Sequence, residues 1–117
     1  MRHKRGNKKL GLPTDQRLAL LKSLVIALFE NNKIETTDTR AKEAKKLAEK
    51  LITLGKTDSV FSRRKAFKLI PQKKVVKNIF DNIAPKFKER NGGYTRIVKL
   101  KTRIGDGATI SLLELVD

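Results

Sequence analysis

The stretch YTRIVKLKTRIGDGATISLLELV, residues 94–116, decides how the chain folds. Two runs rich in Ile, Val, Leu and Thr flank Gly105-Asp106-Gly107, and glycine tolerates the positive φ values that tight hairpin turns demand. The expectation is a β-hairpin, Tyr94–Ile104 turning into Thr109–Val116. Side chains alternate along a strand, so Tyr94, Arg96, Val98, Leu100, Thr102 and Ile104 share one face, which is mainly apolar. Thr95, Ile97, Lys99, Lys101 and Arg103 share the other. The last three are cations at a spacing of about 6.6 Å, comparable to the separation of neighbouring phosphates along a nucleic-acid strand. Ahead of the hairpin, Asn91-Gly92-Gly93 reads either as a flexible lead-in or as a place where backbone comes close to a ribose-phosphate, helped by Tyr94 and Arg96.

A two-stranded hairpin does not stand alone in water and needs a cover. Four helical patterns upstream supply it. Pro13 and Thr14 open the first, with Thr14 as N-cap and Asp15 in the positive first turn. Leu18, Leu21, Leu24, Val25, Leu28 and Phe29 give it a core-facing stripe, and Asn31-Asn32 suit its end. Lys33–Thr36 reads as a short extended segment, an edge strand. Thr37 or Asp38 caps the second helix, whose stripe is Ala41, Ala44, Leu47, Ala48, Leu51 and Ile52, and Gly55 stops it. Lys42, Lys45, Lys46 and Lys50 on its other side are mixed with Glu43 and Glu49, as in ordinary solvated ion pairs. Asp58 or Ser59 caps a third helix anchored by Val60, Phe61, Phe67 and Ile70. Pro71 separates it from a fourth, anchored by Val75, Val76, Ile79, Phe80 and Ile83. The expected fold class is α+β, a two-layer sandwich in the order α-β-α-α-α-β-β with a small, mostly antiparallel sheet covered by helices. Residues 1–12 form a basic N-terminal extension and residues 13–117 a single domain.

Charge bounds the function. The chain carries 28 Lys and Arg against 12 Asp and Glu, a formal charge of +16 with a pI near 10.4, and a surplus of that size calls for a polyanionic partner. It is unevenly spread: residues 59–90 carry a net +8, and no acid lies between Asp58 and Asp81. Across that gap stand Arg63, Arg64, Lys65, Lys68, Lys73, Lys74 and Lys77. Arg binds phosphate oxygens bidentately where Lys acts as a mobile point charge, so Arg63 and Arg64 lead as candidate contacts. The opening MRHKRGNKKLG has no hydrophobic periodicity and contributes Arg2, Lys4, Arg5, Lys8 and Lys9. It reads either as a solubilising arm or as a phosphate-binding one that orders on its partner. His3, the only histidine, suits a hydrogen bond to RNA better than a metal ligand or catalytic base.

Several classes fall away. No apolar run approaches the roughly 20 residues of a membrane span, and the N-terminus has cations without a secretory apolar stretch, which points to the cytosol. The absence of cysteine removes thiolate nucleophiles, disulfides and most structural zinc sites. Gly105-x-Gly107 lacks the rest of a dinucleotide fingerprint and joins strand to strand, and the sparse acids give no home to paired-carboxylate chemistry. No catalysis, cofactor, metal or small-molecule substrate is expected. With five Phe at core spacing and one Tyr, no platform for stacking bases is evident, so shape and phosphate recognition are favoured. Composition alone leaves RNA and DNA open; a dimer face and a helix set for the major groove would favour DNA, and neither is visible.

Several stretches together resemble a known family. MRHKR opens the chain, IETT is followed by RAKE, then come LITLGKTDS, RRKAF, GGYTRIVK, Arg103 with IGD and Ala108, and the terminal LELVD. In this order they resemble the seventeenth protein of the bacterial large ribosomal subunit across essentially the whole chain. The resemblance implies a non-catalytic protein that binds large-subunit rRNA among neighbouring ribosomal proteins. It implies a two-layer α/β domain, an N-terminal extension reaching into folded RNA, and a position near the polypeptide exit region. It carries RNA contact onto Arg2, His3, Lys4 and Arg5, onto Arg63 and Arg64, and onto Gly92, Gly93, Tyr94, Thr95 and Arg96. Leu12 and Gln16 depart from the family pattern, and no contact is carried onto them. Lys8, Lys9, Lys65, Lys68, Lys99, Lys101 and Arg103 join the candidates on charge and position alone.

Overall fold

A computed structural model of the chain describes residues 14–116. Helix α1 spans Thr14–Asn31, strand β1 Lys33–Thr37, α2 Asp38–Gly55, α3 Val60–Leu69 and α4 Lys73–Asn78, followed by strands β2 Thr95–Thr102 and β3 Thr109–Leu115. The expected element order holds. The sheet is antiparallel throughout, in the order β1-β3-β2, so the segment near Ile34 is an edge strand and the last strand of the chain is the central one. The expectations placed on residues 1–12 lie outside the described residues. Among those described, no helix is long and apolar enough to cross a membrane.

Helix α2 lies at the centre of the helical layer. Its Ala41, Ala44 and Ala48 are fully buried with Leu51 and Ile52, and these small side chains let neighbouring elements come close. Val25, Leu28 and Phe29 of α1, Ala66 of α3 with Ile70 just past its end, and Leu113 of β3 complete the core with the α4 segment. On the sheet, Leu113 is in register with Ile34 on one side and Ile97 on the other, and all three pack into that core. The fully buried Ser111 hydroxyl donates to Asp38 Oδ1 at 2.8 Å, which ties the central strand to the start of α2.

Several local readings are settled or revised. Ser59 caps α3, its Oγ accepting from the Ser62 amide at 3.0 Å. Thr37 occupies the N-cap of α2 without a side-chain bond, and the Asp38 carboxylate beside it is engaged by Ser111 and Lys42. Gly55 is not a left-handed stop. A Cβ there would lie 2.8 Å from Ala84 Cβ and 3.2 Å from Ile79 Cγ2, so the glycine permits contact with the segment after α4. That fourth helix is regular only to Asn78; a π turn covers Ile79–Ile83 and a 3-10 turn Ala84–Phe87. Pro85, lacking an amide hydrogen, cannot continue the α-helical ladder. Its anchors Val75, Val76, Ile79, Phe80 and Ile83 are buried as expected.

Two apolar assignments are overturned. Leu18, placed in the α1 stripe, is exposed. Of the four anchors assigned to α3, only Ile70 is buried; Val60, Phe61 and Phe67 are 66%, 67% and 40% exposed. The inward side of α3 runs instead through Ser62 and Ala66, four residues apart on one helical face, and buried Ile70 follows in the extended C-cap just past the helix. Small residues there bring α3 tight against α2 and leave the aromatics outside.

Candidate nucleic-acid interface

The hairpin cations do not share a face. Strand β2 pairs Lys99 with Ser111 and Lys101 with Ile110, and the extra residue Leu100 makes a β-bulge, which breaks the alternation. Lys99 therefore follows Thr95 and Ile97 on the side of Ser111 and Leu113, which the helices cover. Lys101 stands on the opposite face, and Val98 and Leu100, on the face read as mainly apolar, are exposed. Arg103 lies in the turn, its guanidinium held by Asp106, with Nε to Oδ1 at 3.1 Å. That pairing holds the Asp106 carboxyl down at about 2. Lys101 and Arg103 meet Arg40, Glu35 and Ile110 around a concavity of about 430 Å³.

The loop before β2 is built by burial. Gly92 and Gly93 adopt φ of 81° and 65°, the left-handed region glycine enters without strain. Tyr94 is buried, its ring 5.2 Å from that of Phe87, and its hydroxyl accepts from Lys56 Nζ at 3.0 Å. The Lys56 ammonium holds the phenol below its ordinary pKa. Thr95 is also buried, and both its amide and its hydroxyl donate to Glu49 Oε2 at 2.8 Å. Lys45 completes the set, donating to the Thr95 carbonyl at 2.6 Å and lying 3.6 Å from Glu49. Lys42, Lys45, Lys46, Glu49 and Gly93 then line a concavity of about 620 Å³. The α2 face read as solvated ion pairs is thus joined to the glycine loop. Arg96 stays on the surface, paired across the sheet with Glu114.

On α3, Arg63 and Arg64 have different roles. Arg63 grips Asp58 bidentately at 2.7 and 2.9 Å, reaches Asp81 at 2.9 Å, and lies 4.9 Å from the centre of the Phe80 ring. Its guanidinium holds both carboxyls below the usual carboxylate range. The Arg64 side chain makes no hydrogen bond or ion pair among the described residues and is exposed. Arg64, Lys68, Lys73 and Lys77 rim a groove of about 580 Å³ floored by Phe67 and Val76, and Lys65 lies 4.8 Å from the Phe61 ring centre.

The ion pairs decide where the surplus charge sits. Asp38, Glu43, Glu49, Asp58, Asp81, Asp106 and Glu114 are each bridged to a Lys or Arg within the fold. Arg64, Lys65, Lys68, Lys73, Lys74, Lys99 and Lys101 make no salt bridge among the described residues and are exposed, although Lys99 acts on the Asp38 carboxylate through space. Phe61, Phe67 and Arg40 were missed as surface features in the sequence, and the α2 lysines, read there as solvated ion pairs, were not read as neighbours of the glycine loop. The spacing of Ser62 and Ala66 was the available signal for the two aromatics. The candidates Arg2, His3, Lys4, Arg5, Lys8 and Lys9 lie outside the described residues, and among those described no cluster of His, Cys, Asp or Glu could hold a metal ion.

The chain is similar to proteins named large ribosomal subunit protein bL17. It is 59% identical to that of Clostridium beijerinckii over 111 residues, covering 95% of this chain and 98% of the relative. It is 56% identical to that of Clostridium perfringens at the same coverage, and 55% to that of Clostridium acetobutylicum over 95% of this chain and 97% of the relative. The family model described as ribosomal protein L17 matches residues 20–116. With this match spanning the helical layer and the hairpin alike, the chain belongs to the ribosomal protein L17 family.

Proposed function

We propose that this chain is a non-catalytic structural constituent of the large ribosomal subunit in the cytoplasm, that it binds large-subunit rRNA, and that it sits near the exit-tunnel region beside other ribosomal proteins. The observation that carries the reading is the division of charge. Most acids of the described residues are taken up by ion pairs, while the exposed cations that make no salt bridge among the described residues are most numerous on α3, α4 and the hairpin, with Lys33, Lys50, Lys86 and Lys88 elsewhere. Such a surface neutralises crowded phosphates and lets RNA helices approach one another. The contacts are Arg64, Lys65, Lys68, Lys99, Lys101, the loop backbone at Gly92-Gly93, and the arm residues Arg2, His3, Lys4, Arg5, Lys8 and Lys9. Arg96 and Arg103 contribute from within ion pairs that phosphate can compete for. Tyr94 and Thr95 act by fixing the loop, and Arg63 by bracing α3.

The test is binding of the purified chain to large-subunit rRNA as a function of salt. Each neutralised phosphate contributes somewhat under one to the slope of log K against log salt, so about six contacts lose roughly a thousandfold between 50 and 200 mM. A nearly flat dependence, or failure to co-sediment with large subunits, sinks the proposal.

A further inference from the structure

We propose that the α3–α4 groove and the adjacent Phe61 seat unpaired RNA bases, with the cations around them holding the flanking phosphates; this rests on the rRNA-binding reading and assigns one surface a ligand. The core is complete without Val60, Phe61 and Phe67, yet these three stand on the outer face of α3 at 66%, 67% and 40% exposure. Arg64, Lys65 and Lys68 alternate with them on that face, and Lys73 and Lys77 close the groove from α4. Its volume of about 580 Å³ lies in the range of pockets that enclose flat organic ligands.

The chemistry around the groove selects the occupant. The two nearby acids, Asp58 and Asp81, are both occupied by Arg63, so no free carboxylate is set to receive a basic protein partner. Aromatic rings interleaved with cations match a strand that presents a π-face and a negative charge at each nucleotide. A-form duplex hides its base faces, so the ligand is a bulge, loop or flipped nucleotide. Lys65 Nζ lies over one face of the Phe61 ring, 4.8 Å from its centre, so a base would stack on the opposite face of this exposed ring.

The experiment compares the full-length chain with Phe61→Ala/Phe67→Ala and with Phe61→Tyr/Phe67→Tyr. The probes are large-subunit rRNA, a short single-stranded oligoribonucleotide, and the same strand with abasic sites. The Ala pair should bind the first two about tenfold more weakly at an unchanged salt slope, and the abasic strand as the parent does; the Tyr pair should bind like the parent. The single Phe61→Ala change, at the more exposed position, should give a smaller loss of the same kind and guards against misfolding in the pair. Parental affinity in the Ala pair, or equal loss on the abasic strand, overturns the proposal. Intact RNA binding with loss of neighbouring proteins from reconstituted subunits would make the groove a protein-docking site instead. If the unmodified chain binds neither rRNA nor the oligonucleotide, the underlying functional reading fails with it.

Discussion

Replacing Glu49 with Ala tests whether the glycine loop is held by the network beneath it. Glu49 Oε2 accepts from the Thr95 amide and hydroxyl, both at 2.8 Å, and Thr95 is only 3% exposed. Hydrogen bonds to a charged acceptor contribute about 1.5–3 kcal/mol each, and a buried donor left without a partner costs about 1–3 kcal/mol. The Glu49 side chain is 22% exposed, so water recovers part of the loss. The expected destabilisation is about 2–4 kcal/mol, which for a domain near 100 residues is a fall in Tm of roughly 10–25 °C. Glu49→Gln keeps an acceptor oxygen and loses the attraction to Lys45, so it should fall about midway. Urea and thermal unfolding followed by circular dichroism measure both variants. A cycle with Thr95→Val should show coupling of at least about 0.5 kcal/mol between the two sites. An Ala variant within about 0.5 kcal/mol of the parent, or strict additivity with Thr95→Val, would refute the network as the support of the loop.

Gly55→Ala should destabilise by about 1–2 kcal/mol in urea melts, because overpacking against the buried Ala84 outweighs the gain of about 1 kcal/mol in helix propensity; a stabilised variant would restore the reading of Gly55 as a mere helix stop. Arg64→Ala should lower the salt slope of rRNA binding by about one while leaving the urea midpoint unchanged. Arg63→Ala should lower the midpoint, since it releases Asp58 and Asp81; the reverse pattern would exchange their roles. Acid stability follows from the depressed carboxyls of Asp38, held by the Ser111 hydroxyl and Lys42, of Asp58 and Asp81, held by Arg63, and of Asp106, lowered to about 2 beside Arg103. Their contribution is present above the unfolded carboxylate pKa near 4 and is lost as pH falls from there toward about 2. The urea midpoint should drop over that window and less so in Asp38→Asn, and a profile flat from pH 5 to 2 would contradict it.

Local chemistry made much of this protein legible from its residues alone. The hairpin could be read because Gly105 and Gly107 fall where positive φ is required, at 107° and 69°, between β-branched runs. The α2 and α4 faces could be read because Ala and Val repeat at helical spacing. The cationic excess, with its gap in acids from residue 59 to 80, marked the surface proposed to bind rRNA. What the sequence left undecided was which side of each element meets which neighbour, since that depends on contacts between residues far apart in the chain. Apolar residues alone put Val60, Phe61, Phe67 and Ile70 on the inward side of α3, and the close approach of α2 selected instead the face with Ser62 and Ala66, turning Val60, Phe61 and Phe67 outward. The bulge at Leu100 parted Lys99 from Lys101, a change of register that follows from pairing with β3 and not from the strand itself. Arg63 and Arg64 are adjacent and chemically alike. Only the fold, by bringing Asp81 to Arg63 from 18 residues away, made one of them a brace and left the side chain of the other without an acidic partner among the described residues.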